Sequence, residues 1–216
     1  MFSDALGRRR PNRGTFPRRS PRLDRQMRED ELATRVVEHF RAAFDDVEIH
    51  LEEPYDHYGN RGVADVYVRV RTPEPVDYLI ELKADAAVRH ATGANEILRQ
   101  YRRMERYFYK DDEHAIRTKL GREGPGVHAL LLFAPTKRCV EHVREHAALY
   151  ESVDPDATVE GVEAARKVAF LTNLDRAPEG ELGFLSLNGP LAFDSVAFRE
   201  AVPSGSRLAD ALWGDD

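Results

Sequence analysis

One cysteine, Cys139, is present in 216 residues. That excludes an internal disulfide and any cysteine-built zinc framework, and it makes a reducing compartment, the cytoplasm, the expected setting. No apolar run approaches the roughly 20 residues that cross a bilayer, so no membrane association is expected. Residues 1–8 lack the apolar core of a secretory signal. Internal repeats are absent as well. Lysine is scarce: five lysines stand against 27 arginines. What remains is a core-forming composition, 42% apolar, in a chain long enough for one domain with embellishments.

Charge is placed unevenly. The formal net charge is −6, yet residues 1–28 hold nine arginines and two aspartates, a local +7, leaving −13 for the remainder. Pro11, Pro17 and Pro21 with Gly7 and Gly14 disfavour regular structure there. Residues 1–27 therefore read as a disordered basic arm, whose Arg8, Arg9 and Arg10 are expected to contact phosphates. A solubilising tail is the plain alternative.

Two alternating stretches carry the strongest signal. Residues 63–70 place Val66, Val68 and Val70 on one face and Asp65, Tyr67 and Arg69 on the other. Residues 77–83 place Ile80 and Leu82 opposite Glu81 and Lys83. A turn-forming stretch, 71–75, lies between them. A hairpin centred on Pro73 brings Asp65 and Glu81 opposite one another. Adjacent like charges repel unless neutralised. A hard divalent cation neutralises them through carboxylate oxygens and keeps positions open for water and phosphate. The scarcity of lysine makes Lys83 at this spot less ordinary as surface filler. A solvent-facing charge cluster is the bland alternative.

Ala64-Asp65, sixteen positions, then Glu81-Leu82-Lys83 resembles the PD-(D/E)xK nuclease superfamily, whose members include archaeal Holliday-junction resolvases, restriction endonucleases and RecB-type exonucleases. The proline that usually precedes the Asp is Ala64 here. The resemblance implies a restriction-endonuclease-like α/β fold, an αβββαβα core with a central mixed sheet flanked by helices, spanning 28–150. Residues 151–216 are expected to add a β-rich extension to the same domain. It implies a Mg²⁺- or Mn²⁺-dependent deoxyribonuclease. Asp65, Glu81 and the Leu82 carbonyl would bind the metal, and Lys83 would position the attacking water. A Glu on the preceding helix would support the metal. Glu29 falls within the apolar stripe of Leu32, Val36, Phe40, Ala43 and Phe44, whereas Glu31 and Glu38 fall opposite, so Glu29 is the candidate. A first-turn Glu favoured by the helix dipole is the plain alternative.

The RecB-like branch also carries Gln-x-x-x-Tyr on the following helix. Here the helix at 94–109 offers Gln100, but position 104 is Met and the tyrosines are 101 and 107. Ile97, Leu98, Tyr101, Met104 and Phe108 form its buried stripe, with Gln100 at the edge. Arg99, Arg102, Arg103 and Arg106 line the opposite face, either as solvated arginines or as phosphate contacts.

The remaining elements are coarser. A strand is expected at 47–52, then a long Tyr- and His-rich loop over 53–62. A buried strand follows at 127–133 and a helix from Pro135-Thr136 to about Tyr150, capped by Thr136. Further strands are expected near 168–173 and 182–187, and a terminal helix at 206–213. His142-x-x-Glu145-His146 matches an inverted zinc-peptidase spacing, but its short charged helix reads as solvated. The expected partner is DNA; a homodimer would suit double-strand cleavage, with its interface in the C-terminal third. The alternative is a non-catalytic nucleic-acid-binding or assembly protein built on the same fold.

Overall fold

The helix expected before the sheet is α1, Glu29–Ala43, and its buried stripe is Leu32, Val36, Val37 and Phe40, at the spacing of one helix face. Glu29, Asp30 and Glu31 fill its first turn, where the helix dipole favours negative charge. The computed structural model describes residues 26–72, 75–89, 93–108, 126–159, 162–172 and 183–214. Arg8, Arg9 and Arg10, most of the basic arm and the Pro73 turn lie outside them.

Seven strands form one mixed sheet among the described residues, in the order β1-β2-β3-β4-β6-β5, with β7 paired to β6. They are β1 Val47–His57, β2 Asn60–Val70, β3 Val76–Lys83, β4 Gly126–Phe133, β5 Asp156–Val159, β6 Val162–Leu171 and β7 Phe184–Ser186. Strands β1 to β3 run antiparallel, whereas β3, β4 and β6 are mutually parallel. Two helices sandwich the centre. Phe40 of α1 meets Tyr78 edge-on at 4.8 Å. On the other face lies α3, Ala94–Tyr107, whose Tyr101 hydroxyl donates to the Ala129 carbonyl at 2.9 Å. Between β3 and α3 is a short helix, α2, Asp85–Arg89. This is the mixed α/β architecture expected of a restriction-endonuclease-like fold.

The loop expected over 53–62 is instead the end of a long hairpin. β1 continues to His57 and β2 begins at Asn60. Tyr58 and Gly59 both have positive φ, +48° and +85°, the conformation of a two-residue turn that matches strand twist. Pro54 suggests a break in the sequence, but β1 is a sheet edge, where proline displaces no ladder bond. Asp56 secures the turn, accepting from the Gly59 N–H at 3.0 Å and from Arg61 Nε at 2.6 Å.

Gly62 has a steric role in this hairpin. A Cβ there would collide with the ring and hydroxyl of Tyr55, its cross-strand partner. Gly62→Ala is expected to cost about 1–3 kcal/mol, as overpacking does. Urea denaturation measures it, and an unchanged midpoint would show that Tyr55 moves aside freely.

The helix expected over 135–150 is two helices, α4 Lys137–Glu145 and α5 Ala147–Glu151. Thr136 does cap the first, accepting from the Cys139 N–H at 3.3 Å. The break has a local cause. His146 Nδ1 bonds the His142 carbonyl at 2.9 Å, taking the acceptor its own N–H would use in a continuing helix; that N–H goes to Val143.

Beyond residue 151 the chain extends the same sheet, β6 pairing with β4. Asn188 ties this region together: its Oδ1 accepts from the Val168 N–H at 2.9 Å, and its Nδ2 reaches the Val153 and Arg166 carbonyls, each at 3.1 Å. Two short helices close the chain, α6 Val196–Ala201 and α7 Arg207–Trp213, capped by Ser195 and Ser206. Among the described residues no helix is long and apolar enough to cross a membrane.

Candidate active site

The β2–β3 ladder runs from Val66↔Ile80 to Val70↔Val76, every pair centred on position 73. Asp65 and Glu81 lie one step past its last rung, opposite each other and on one face with Lys83. The ladder gives way to side-chain bonds at this point. Asp65 Oδ2 accepts from the Leu82 N–H at 2.6 Å, and Lys83 Nζ donates to Glu81 Oε1 at 2.6 Å.

Backbone direction follows from the neighbouring strand. The Lys83 carbonyl accepts from the Ala134 N–H on the β4 side. Successive carbonyls in a strand point to opposite sides. The Leu82 carbonyl therefore faces β2, beside Asp65 and past the end of the ladder.

Glu29 enters from the first turn of α1. It is exposed as a residue, but its carboxyl end turns inward and accepts from the Ala84 N–H. Burial raises its pKa, Lys83 opposes that and Asp65 adds to it. Burial also raises Asp65 and Glu81, Lys83 again opposing and the neighbouring carboxylates adding. The opening of α1 is pinned by Asp85, a buried carboxylate that accepts from the Met27 N–H and, at 2.9 Å, from Thr136 Oγ1. A cavity of about 340 Å³ beside Glu29 is lined by Gln26, Met27, Arg28, Asp30, Asp85, Ala86 and Arg89.

Two further residues reach the site without having been singled out in the sequence. Glu52 sits between the Leu51↔Val66 and Glu53↔Ala64 pairs of the β1–β2 register, and its charge raises the pKa of Asp65. It holds φ +52° in mid-strand, a strained conformation for a residue with a side chain. Its only sequence signal is the register, which requires the full hairpin. Tyr55 is 3% exposed; burial raises the pKa of its hydroxyl, Arg103 opposing and the charge of Glu81 adding.

The helix α3 residues divide. Gln100 Nε2 donates weakly to Glu96 Oε1, at 3.4 Å. Arg99 is gripped by the same Glu96 at 2.7 and 2.6 Å. Arg106 lies over the Tyr107 ring at 5.7 Å, and Arg102 and Arg103 are both exposed. Glu105 points the other way, buried against Arg166 of β6.

Among the described residues, no three His, Cys, Asp or Glu side chains form a ready ligand set. The donors still suit a hard cation that keeps most of its water: Asp65 Oδ1, Glu81 Oε2 and the Leu82 carbonyl are oxygens outside the bonds above, and Mg²⁺ is commonly held by one or two carboxylates. The zinc-like spacing is otherwise engaged. His142 Nε2 bonds the Tyr150 hydroxyl at 2.7 Å, and burial lowers the His142 pKa to about 4.

A mixed sheet whose central hairpin ends in Asp opposite Glu-x-Lys, with a helix-borne Glu beside them, defines a nuclease-type α/β domain. The chain belongs to the PD-(D/E)XK nuclease superfamily: the family's domain profile matches residues 27–216. No curated protein and no solved structure gives a significant match.

Proposed function

We propose that the protein is a metal-dependent nuclease hydrolysing DNA phosphodiester bonds. The observation that carries this is the meeting of Asp65, Glu81 and Lys83 on one sheet face, with Lys83 Nζ 2.6 Å from Glu81 Oε1. Asp65, Glu81 and the Leu82 carbonyl hold Mg²⁺ or Mn²⁺, which when bound supplies Lewis-acid polarisation at a phosphoryl oxygen. Lys83 orients the attacking water and offsets the charge that builds on the phosphoryl oxygens. Glu29 supports this group from α1. Gln100 and the arginines of α3 hold the substrate backbone, and Arg8, Arg9 and Arg10 in the basic arm offset the repulsion between DNA and an acidic body. The setting is the cytoplasm. A homodimer joined through the C-terminal third would suit cleavage of both strands.

The alternative is a non-catalytic nucleic-acid-binding or assembly protein built on the same fold. A labelled DNA panel (linear duplex, nicked circle, single strand, four-way junction) separates the two. With Mg²⁺ or Mn²⁺ the protein is expected to cleave at least one member. EDTA, Asp65→Ala, Glu81→Ala or Lys83→Ala is expected to abolish the products. Salt-sensitive binding without products, unaffected by EDTA, selects the second reading.

A further inference from the structure

We propose that Asp85 is a positioning residue of this site: by holding the entry of α1 against the end of β3, it sets Glu29 beside Glu81 and Lys83. The proposal rests on the nuclease reading above and adds to it a residue that touches neither metal nor substrate.

Asp85 is a buried carboxylate that the proposed chemistry leaves unused. It follows Lys83 by two residues and is 4% exposed. Burying an ionised group is costly unless its oxygens are satisfied. Both are: Oδ2 accepts from the Met27 N–H, and Oδ1 accepts from Thr136 Oγ1 at 2.9 Å. The two partners stand at helix starts. Met27 precedes the N-cap of α1, and Thr136 is the N-cap of α4. The partial positive charge at both starts offsets the carboxylate.

The end of β3 is clasped from the same place. The Lys83 carbonyl accepts from the Ala134 N–H at 2.9 Å, and the Thr136 N–H donates to the Ala134 carbonyl at 2.9 Å. Thr136 Oγ1 then closes the ring on Asp85. The backbone at Lys83 is thus fixed to the start of α4, and through Asp85 to α1.

Glu29 is the group that this arrangement places. It follows Met27 by two residues, as Asp85 follows Lys83, so the Met27–Asp85 bond is the short link between the two. Glu29 lines the same cavity as Met27 and Asp85. Burial raises its pKa, and the charges of Lys83 and Asp65 act on it. Nothing at the helix start itself does the placing, because the N-cap, Arg28, makes no side-chain cap bond. Leu32, Val36 and Phe40 are buried along α1, but apolar burial is non-directional and leaves the helix free to slide or turn. The bond to Asp85 fixes both.

The test uses the full chain and a labelled DNA duplex with Mg²⁺. Asp85→Asn, Thr136→Val and Thr136→Ser are made in the parent and in Glu29→Gln, with Asn188→Ala as a control for lost stability. Asp85→Asn keeps the shape and removes one acceptor, so kcat should fall roughly tenfold or more, as a small misplacement does, while KM changes little. Thr136→Val should act alike, and Thr136→Ser should restore the rate. On Glu29→Gln none of these should lower kcat by more than about threefold further, because residues that act as a unit are not additive. Asn188→Ala should lower the melting temperature and leave kcat unchanged. Should Asp85→Asn fail to fold, the two Thr136 variants carry the comparison. A loss that repeats in full on Glu29→Gln, a lower melting temperature with parental kcat, or an equal kcat loss in Asn188→Ala marks a merely structural carboxylate and overturns the proposal. If the parent cleaves nothing, the nuclease reading fails separately, and Mn²⁺ affinity by calorimetry decides this one. Weaker binding from Asp85→Asn in the parent but not in Glu29→Gln supports it. Unchanged affinity, equal weakening in both, or a parent that binds no Mn²⁺ overturns it.

Discussion

Asp65→Asn is expected to yield a protein that cleaves DNA more slowly by roughly a thousandfold or more, yet unfolds at a higher temperature than the parent. On the proposed nuclease reading, the loss would follow from removing a carboxylate that would hold the metal, a contribution of several kcal/mol in a scale where each 1.36 kcal/mol is about tenfold. The gain follows from the site's electrostatics. Asp65, Glu81 and Glu29 all have raised pKa values, burial being the main cause and mutual repulsion adding to it. A carboxyl group whose pKa is higher folded than unfolded binds more protons in the folded state. Stability therefore falls as pH rises from the ordinary carboxylate range through the raised values. Asparagine removes one charge while its oxygen can still accept from the Leu82 N–H. Stabilisation on the order of 1 kcal/mol at neutral pH is the scale seen when an active-site compromise is relieved. Thermal unfolding across a pH series that starts at the ordinary carboxylate range, with and without Mg²⁺, measures this. The parent should lose stability as pH rises out of that range and regain it with Mg²⁺, and Asp65→Asn should do both less. A variant no more stable than the parent, with the same Mg²⁺ response, would contradict the assignment of Asp65 to a strained metal site.

The second large effect is structural. Asp77→Ala is expected to destabilise the fold by about 3–5 kcal/mol, the cost of leaving a buried charge without its partner. Asp77 is fully buried and accepts two bonds from Arg69, each at 2.7 Å, directly across the β2–β3 ladder. This pair lies on the same face as Asp65 and Glu81, two rungs further along each strand from Tyr67 and Leu79 at its centre. Asp77→Ala should thus shift the urea midpoint strongly, whereas Arg69→Met/Asp77→Leu should recover most of the loss by removing both charges. A midpoint unchanged in the single variant would mean that Arg69 is solvated rather than held by Asp77.

Much of the site could be read along the chain because its pieces are local. The alternation of residues 63–70 and 77–83 and the turn between them are short-range features, and they imply the register that sets Asp65 against Glu81. The helical spacing of Leu32, Val36 and Phe40 likewise pointed Glu29 to the sheet side, where it now meets Ala84. Thr136 capped its helix as its position suggested. Misjudged elements share a different cause. Pro54 and the pair Tyr58-Gly59 read as loop because edge position and turn conformation depend on which strand lies alongside. His146 ended a helix through a side-chain bond that spacing does not display. β5 and α2 are short and carry little periodic signal.

The sequence by itself determined the three-residue chemical signature and the order of elements around it, since β alternation and helix periodicity operate over a few neighbouring residues. Only the tertiary structure decided which other side chains share the site. Glu52 and Tyr55 arrive there through a hairpin that runs past the expected strand ends. Asp85 pins Met27 across 58 positions of sequence. Such contacts are set by how strands and helices stack in space, and no local pattern of residues encodes the partner.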